Sequence, residues 1–181
     1  MQQLKTENQI YADIIGFINN ALSELNVADW QVLQLKQPVK LTEIMPTIYV
    51  TIANKNRIGW QKRTYPIVND DLKIKEQFKL NLDVQISALK RRSLSDTVST
   101  INAGDILELL KAYLLNPNNL VKLKKTGYLI FQPSSINNND FIDDSDNFEY
   151  MPFFNVSFIL EQTLISSQAA IDEHTLTIER L

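Results

Sequence analysis

Residues 75–89 read KEQFKLNLDVQISAL. Phe78, Leu80, Leu82, Val84, Ile86 and Ala88 fall on one side of an extended chain, and Lys79, Asn81, Asp83, Gln85 and Ser87 on the other. Successive side chains of a strand point to opposite faces, so strict alternation over this length predicts a long strand with one buried and one polar face. A second alternating run, 150–165, places Phe154, Val156, Phe158 and Leu160 inward, with Asn155, Ser157, Glu161 and Thr163 largely outward. Both exceed the usual strand length of about five or six residues. Strands that long project past a domain body, and their edges need covering, which a neighbouring subunit can supply.

Shorter strands are predicted around these two. Thr47–Asn54 (TIYVTIAN) is rich in β-branched residues and alternates. Asn54–Lys55–Asn56 reads as a turn, with Arg57–Tyr65 returning as a less regular strand and Val68–Asp71 as the next turn. Val32–Leu35 and Tyr128–Gln132 are further strands, and Thr175–Ile178 could add one in the tail. Lys90–Arg91–Arg92 ends the central strand, and 133–147 reads as an Asn/Asp/Ser loop.

Three helices complete the pattern. From Thr6 to Leu25, Ile10, Ile14, Ile18, Leu22 and Leu25 recur at helical spacing, and Thr6 with Gln9 fits a capping box. Asn102–Leu115 follows, with Asn102 as N-cap and Asp105 favouring the positive end of the dipole. Pro117 can open a third helix that runs to Lys125, with Gly127 closing it. The order predicts an α+β fold: a mainly antiparallel sheet with long strands and helices packed on one side. No repeat or long linker divides the chain, so 1–181 reads as a single domain, with an N-terminal helix at about 6–25 and a C-terminal strand or arm at about 166–181.

Composition narrows the chemistry. Of 181 residues, 44% are apolar and 22% charged, ordinary for a globular domain. There is no cysteine, which excludes disulfides, thiolate metal sites and cysteine nucleophiles, and His174 is the single histidine. No uncharged apolar run is long enough to span a bilayer, and the N-terminus lacks a signal-peptide core. The net charge of −3 is uneven: −2 over 1–49, +7 over 50–130 and −8 over 131–181. Such asymmetry can steer association, although exposed charges also simply mix on a folded surface.

Candidate sites are few. Asp140, Asp143, Asp144, Asp146 and Glu149 form an acidic cluster, but Phe148 stands where a calcium loop needs a ligand and the sharp-turn glycine is missing. A solvated loop with local Asx turns is the better reading, and no spacing singles out two acids for hydrolytic chemistry. The four glycines, 16, 59, 104 and 127, form no phosphate cradle. The sequon Asn155–Val156–Ser157 sits mid-strand and reads as chance. Lys55, Arg57, Lys62 and Arg63 surround Trp60 and Tyr65, a mixture that suits nucleic acid or a protein interface. The acidic net charge favours the interface, and the competing structural reading is a hairpin tip buried in its own core.

Several segments together resemble tailed-bacteriophage neck or tail terminator (gateway-type) proteins. They are TIYVTIANKNRIGWQK (47–62), QFKLNLDVQISAL (77–89), STINAGDI (99–106) and DDSDNFEYMPFFNVSFIL (143–160), in that order. The resemblance covers about 40–165 and implies a virion structural protein, made in the host cytoplasm. It would form a ring, commonly six-fold, where the tail meets the head. Implied partners are sister copies, the tail tube protein and a head-completion, collar or connector protein. DNA is implied only as passing cargo, and no membrane, metal, cofactor or enzymatic activity is implied. Arg57, Gly59 and Trp60 match the first motif, and Asp144, Phe148 and Glu149 the second. With Arg63, these are the expected interface positions. A nucleic-acid-binding module built on 55–65, another neck or baseplate component, and a small hydrolase using 140–149 are the alternatives.

Overall fold

Thr6 sets the first helix. Its hydroxyl accepts from the Gln9 backbone N–H, and the Gln9 side chain accepts from the Thr6 N–H at 2.8 Å, closing the expected capping box. The computed structural model of the chain describes residues 4–27, 29–35, 45–68, 71–90, 101–131, 133–138, 140–142 and 148–167, the side chains of 67–73, 140–149, 166 and 167 excepted. The helix, α1 (Glu7–Glu24), buries Ile10, Tyr11, Ile14, Ile18, Ala21 and Leu22 as one stripe. Thr6→Ala removes a cap to a helix that packs on the core, so a loss of about 1 kcal/mol is expected in urea unfolding followed by circular dichroism. An unchanged urea midpoint would show that the capping box contributes nothing.

Strand β1 (Gln31–Gln34) pairs in parallel with β2 (Thr47–Thr64), and every other pairing in the main sheet is antiparallel. The order is β1-β2-β4-β8-β5, where β4 is Asp71–Leu89, β8 is Phe153–Ser167 and β5 is Tyr128–Ile130. The short β3 (Ile67–Val68) folds back on the start of β4. β6 (Asp140–Ile142) and β7 (Phe148–Tyr150) make a separate two-stranded hairpin. The expected α+β fold with its long, mainly antiparallel strands is therefore present.

The alternation of β4 and β8 becomes the core. Ile86 faces Phe154, Val84 faces Val156, Leu82 faces Phe158 and Leu80 faces Leu160, all buried. β2 adds Ile48 opposite Ala88 and Val50 opposite Ile86. Helices cover this face. α2 (Ala103–Leu115) brings Ile106, Leu107 and Leu110, and α3 (Pro117–Lys125) brings Leu123. Asn102 caps α2 by accepting from the Asp105 N–H at 2.8 Å. Asn116 caps α3 ahead of Pro117, and Gly127 at φ +89° ends it.

Two readings of the sequence change. Asn54–Lys55–Asn56 is not a turn, because β2 runs through it. A one-residue bulge at Ala53 shifts the register between Ile52 and Asn54, and the Asn54 carboxamide oxygen accepts from the Lys55 N–H at 2.9 Å. The Asx preference of asparagine is thus met inside a bulged strand. The 133–147 segment, read as loop, contains β6 and pairs with β7. The proposed tail strand Thr175–Ile178, His174, Arg91, Arg92, Asp143 and Asp146 lie outside the described residues.

Candidate interface on the projecting arm

The body of the sheet ends near the bulge at Ala53. Beyond it, β2, β4 and β8 continue outward together, paired as far as Thr64 with Lys75 and Lys73 with Ser167. Helices no longer cover β2 here: from Ala53 to Thr64 it is exposed except for half-buried Ile58. The result is a three-stranded arm with two outer edges.

Each edge is closed only near the body. β1 occupies the β2 edge from Thr47 to Val50, the Leu35 N–H reaches the Val50 carbonyl at 3.2 Å, and the Tyr11 hydroxyl accepts from the Ile52 N–H at 3.0 Å. Past Ile52, among the described residues, β2 pairs only with β4. On the other side, β5 covers β8 from Phe158 to Leu160, and the Glu161 N–H donates to the Gly127 carbonyl at 3.2 Å. The Lys5 N–H reaches the buried Gln162 Oε1 at 3.1 Å, and beyond that, among the described residues, β8 pairs only with β4.

The first motif sits on this arm. Between the pairs Ile58–Lys79 and Lys62–Gln77, β2 holds three residues where β4 holds one. Gly59 takes φ +73° in this wide bulge, a backbone region that disfavours any side chain. The bulge turns Trp60 fully into solvent. The competing reading of a hairpin tip buried in its own core therefore fails at Trp60. Arg57 instead lies over the Phe78 ring, 4.2 Å from its centroid, and so caps the last buried aromatic of the arm. Arg63 pairs with Glu76 at 2.7 Å, and Gln61 donates to the other oxygen of that carboxylate. Lys55 and Lys62 stand exposed beside them.

The second motif is elsewhere. Phe148 and Glu149 lie in β7, opposite Ile142 and Phe141. Asp144 lies outside the described residues. The neighbouring Tyr150 hydroxyl lies so close to Gly104 that a Cβ there would be 3.1 Å from it, which puts this hairpin at the start of α2. Lys90, at the inner end of β4, reaches the Ile101 carbonyl at 3.2 Å, so α2 starts at that same end. Trp60 stands opposite Phe78, eleven positions along β4 from Leu89, or about 36 Å of strand. The described residues of the two motifs thus lie near opposite ends of the main sheet and do not form one site.

Three titratable groups among the described residues have clearly shifted pKa values. Burial and a hydrogen bond to Asp13 push the Tyr128 hydroxyl up, and burial and Glu24 push Tyr113 up to about 12. Hydrogen bonds from Lys122 and Tyr113 hold Glu24 below the usual carboxylate range. All three shifts move away from neutrality, where a general acid or base would need to sit. Among the described residues there is no group of metal-ligating side chains, and no helix is long and apolar enough to cross a membrane.

Several features of the arm had no sequence signal. Tyr11 is buried on the inner face of α1, and its hydroxyl closes the sheet edge. Gln162 continues the inward face of β8 as a polar residue opposite Phe78. The bulge could have been suspected from Gly59 beside Trp60, because glycine inside a strand often marks one.

A family model described as E217 gateway protein gp29 matches residues 9–170, which include every described strand and nearly all of α1. No curated protein matches the chain closely enough to add a second relative.

Proposed function

The chain belongs to the E217 gateway protein gp29 family, and from that membership we propose that it closes into a ring that caps the tail tube and joins it to head-completion proteins. Gateway proteins are structural components of the phage head–tail junction and not enzymes. The observation that carries the finer reading is the arm: three long strands whose outer edges are open among the described residues, and a tryptophan held in solvent by a bulge. An isolated soluble domain gains nothing from such an edge, which invites pairing with other chains. A heterologous contact between one flank of a subunit and a different flank of the next closes a ring when the rotation closes.

The two motifs at opposite ends of the sheet suit this role, because a junction ring must present one end to each neighbour. The acidic 131–181 region, at −8, would repel phosphates if it faced the lumen, letting DNA pass without being held. The basic arm favours a protein partner over nucleic acid, since Arg57 and Arg63 already engage Phe78 and Glu76. Native mass spectrometry and negative-stain electron microscopy test the reading. Closed rings of a single stoichiometry are expected at micromolar concentration, alone or on tail tubes. Monomer alone under both conditions overturns the assembly.

A further inference from the structure

We propose that the edge of β2 over residues 54–64, which among the described residues has no strand on its outer side, receives, as an added β-strand, the acidic segment 171–181 of a neighbouring copy of this chain. The inference rests on the ring reading above and names the contact that builds the ring. An exposed edge binds an extended segment through its unpaired N–H and C=O groups, while side chains select which segment is accepted.

The edge supplies the first half of the argument. Over 54–64 it carries Lys55, Arg57, Lys62 and Arg63 and no acid. Lysine on an edge strand, together with a bulge, discourages indiscriminate pairing, because two such edges repel and do not match in shape. An acidic strand removes the repulsion. The bulge at 59–61 splits the edge into 54–58 and 62–64 and leaves Trp60 free to fold over whatever is added.

The segment supplies the second half. After Ser167 the chain continues for fourteen residues, which carry Asp172, Glu173 and Glu179 against Arg180 alone. Its HTLTI core alternates Thr175 and Thr177 with Leu176 and Ile178, a pattern suited to a strand. β8 runs outward and ends opposite Lys73, so the segment leaves from the outer end of the arm. Fully extended, it reaches about 45 Å, enough to clear the arm and lie along another one. Folding back on its own β8 is less favourable, since 161–165 there carries Glu161 and no base. Its own β2 edge lies across the arm, on the far side of β4.

The absence of native cysteine makes the test direct. Full-length Lys62→Cys and Thr177→Cys chains are prepared separately, mixed at ring-forming concentration and oxidised with copper–phenanthroline. The control pairs Thr177→Cys with Val121→Cys, an exposed position on α3. Strand pairing raises the effective thiol concentration from micromolar towards millimolar, so a heterodimer yield at least roughly tenfold above control is expected, falling in high salt. Rings by native mass spectrometry with no yield above control overturn this contact and leave the ring intact. Monomer in both assays overturns the ring reading as well. A link that forms within one chain of the double variant at high dilution, and not between chains, also overturns the proposal.

Discussion

Trp60→Ala is expected to abolish ring formation at concentrations where the parent assembles, while leaving the thermal midpoint of the monomer unchanged. Its side chain is fully exposed, so truncation removes no intramolecular packing. Surface substitutions of that kind fall within about 0.5 kcal/mol in stability. At an interface the same side chain belongs to the residue types that dominate binding, and truncating such an anchor costs about 2 kcal/mol or more. Two kcal/mol is roughly a thirtyfold weaker contact, and a ring needs every contact to hold at once. Gly59→Ala acts on the same point by another route. Space for a Cβ is open, but φ +73° strains any side chain, so the bulge should relax and Trp60 should be re-aimed. Sedimentation velocity across a concentration series reads both variants, beside a thermal melt of each. A Trp60→Ala chain that assembles like the parent would remove the arm from the interface.

The fold was legible where one physical requirement governed the sequence. β4 and β8 each bury one face, so alternation located their inward residues correctly from Phe78 to Ala88 and from Phe154 to Leu160. α1 announced itself by both its apolar stripe and its cap. Legibility failed where two requirements overlapped. Asn54 and Asn56 favour turns, yet a bulge satisfies Asn54 without ending β2. The 133–147 segment is polar enough for a loop, and three-residue strands such as β6 are too short to show a period. The parallel pairing of β1 with β2 joins segments distant in sequence, and no local pattern encodes its direction. At the candidate site, the motif around Trp60 pointed to a surface without revealing what Arg57 and Arg63 touch. Those contacts depend on Phe78 and Glu76, brought opposite by a register that the wide bulge sets.

Phe154→Ala should have the opposite signature: a large loss of stability with the arm's chemistry intact. Phe154 is fully buried, opposite Ile86 on β4, in the same cluster as Ile106, Leu107 and Leu110 of α2. β4 on one side holds its spacing through ladder hydrogen bonds, and on the other the Asn137 bridge to Phe153 and the Ser134 N–H on the Asn155 carbonyl hold the chain, so the space left behind closes only in part. Removing a buried phenyl ring under those conditions costs about 3–5 kcal/mol, which for a chain of this size lowers the thermal midpoint by roughly 10 °C. Assembly complicates the measurement, because subunit contacts stabilise the folded chain by mass action and make the midpoint depend on concentration. The substitution is therefore best placed in the Trp60→Ala background, where the chain is expected to be monomeric. Trp60 and Phe154 stand opposite Phe78 and Ile86, about 26 Å apart along β4, so their effects on monomer stability should add to within about 0.5 kcal/mol. A coupling well above that would mean that the arm and the body form one cooperative unit. Trp60 would then act on assembly through the fold of the subunit as well as at its surface.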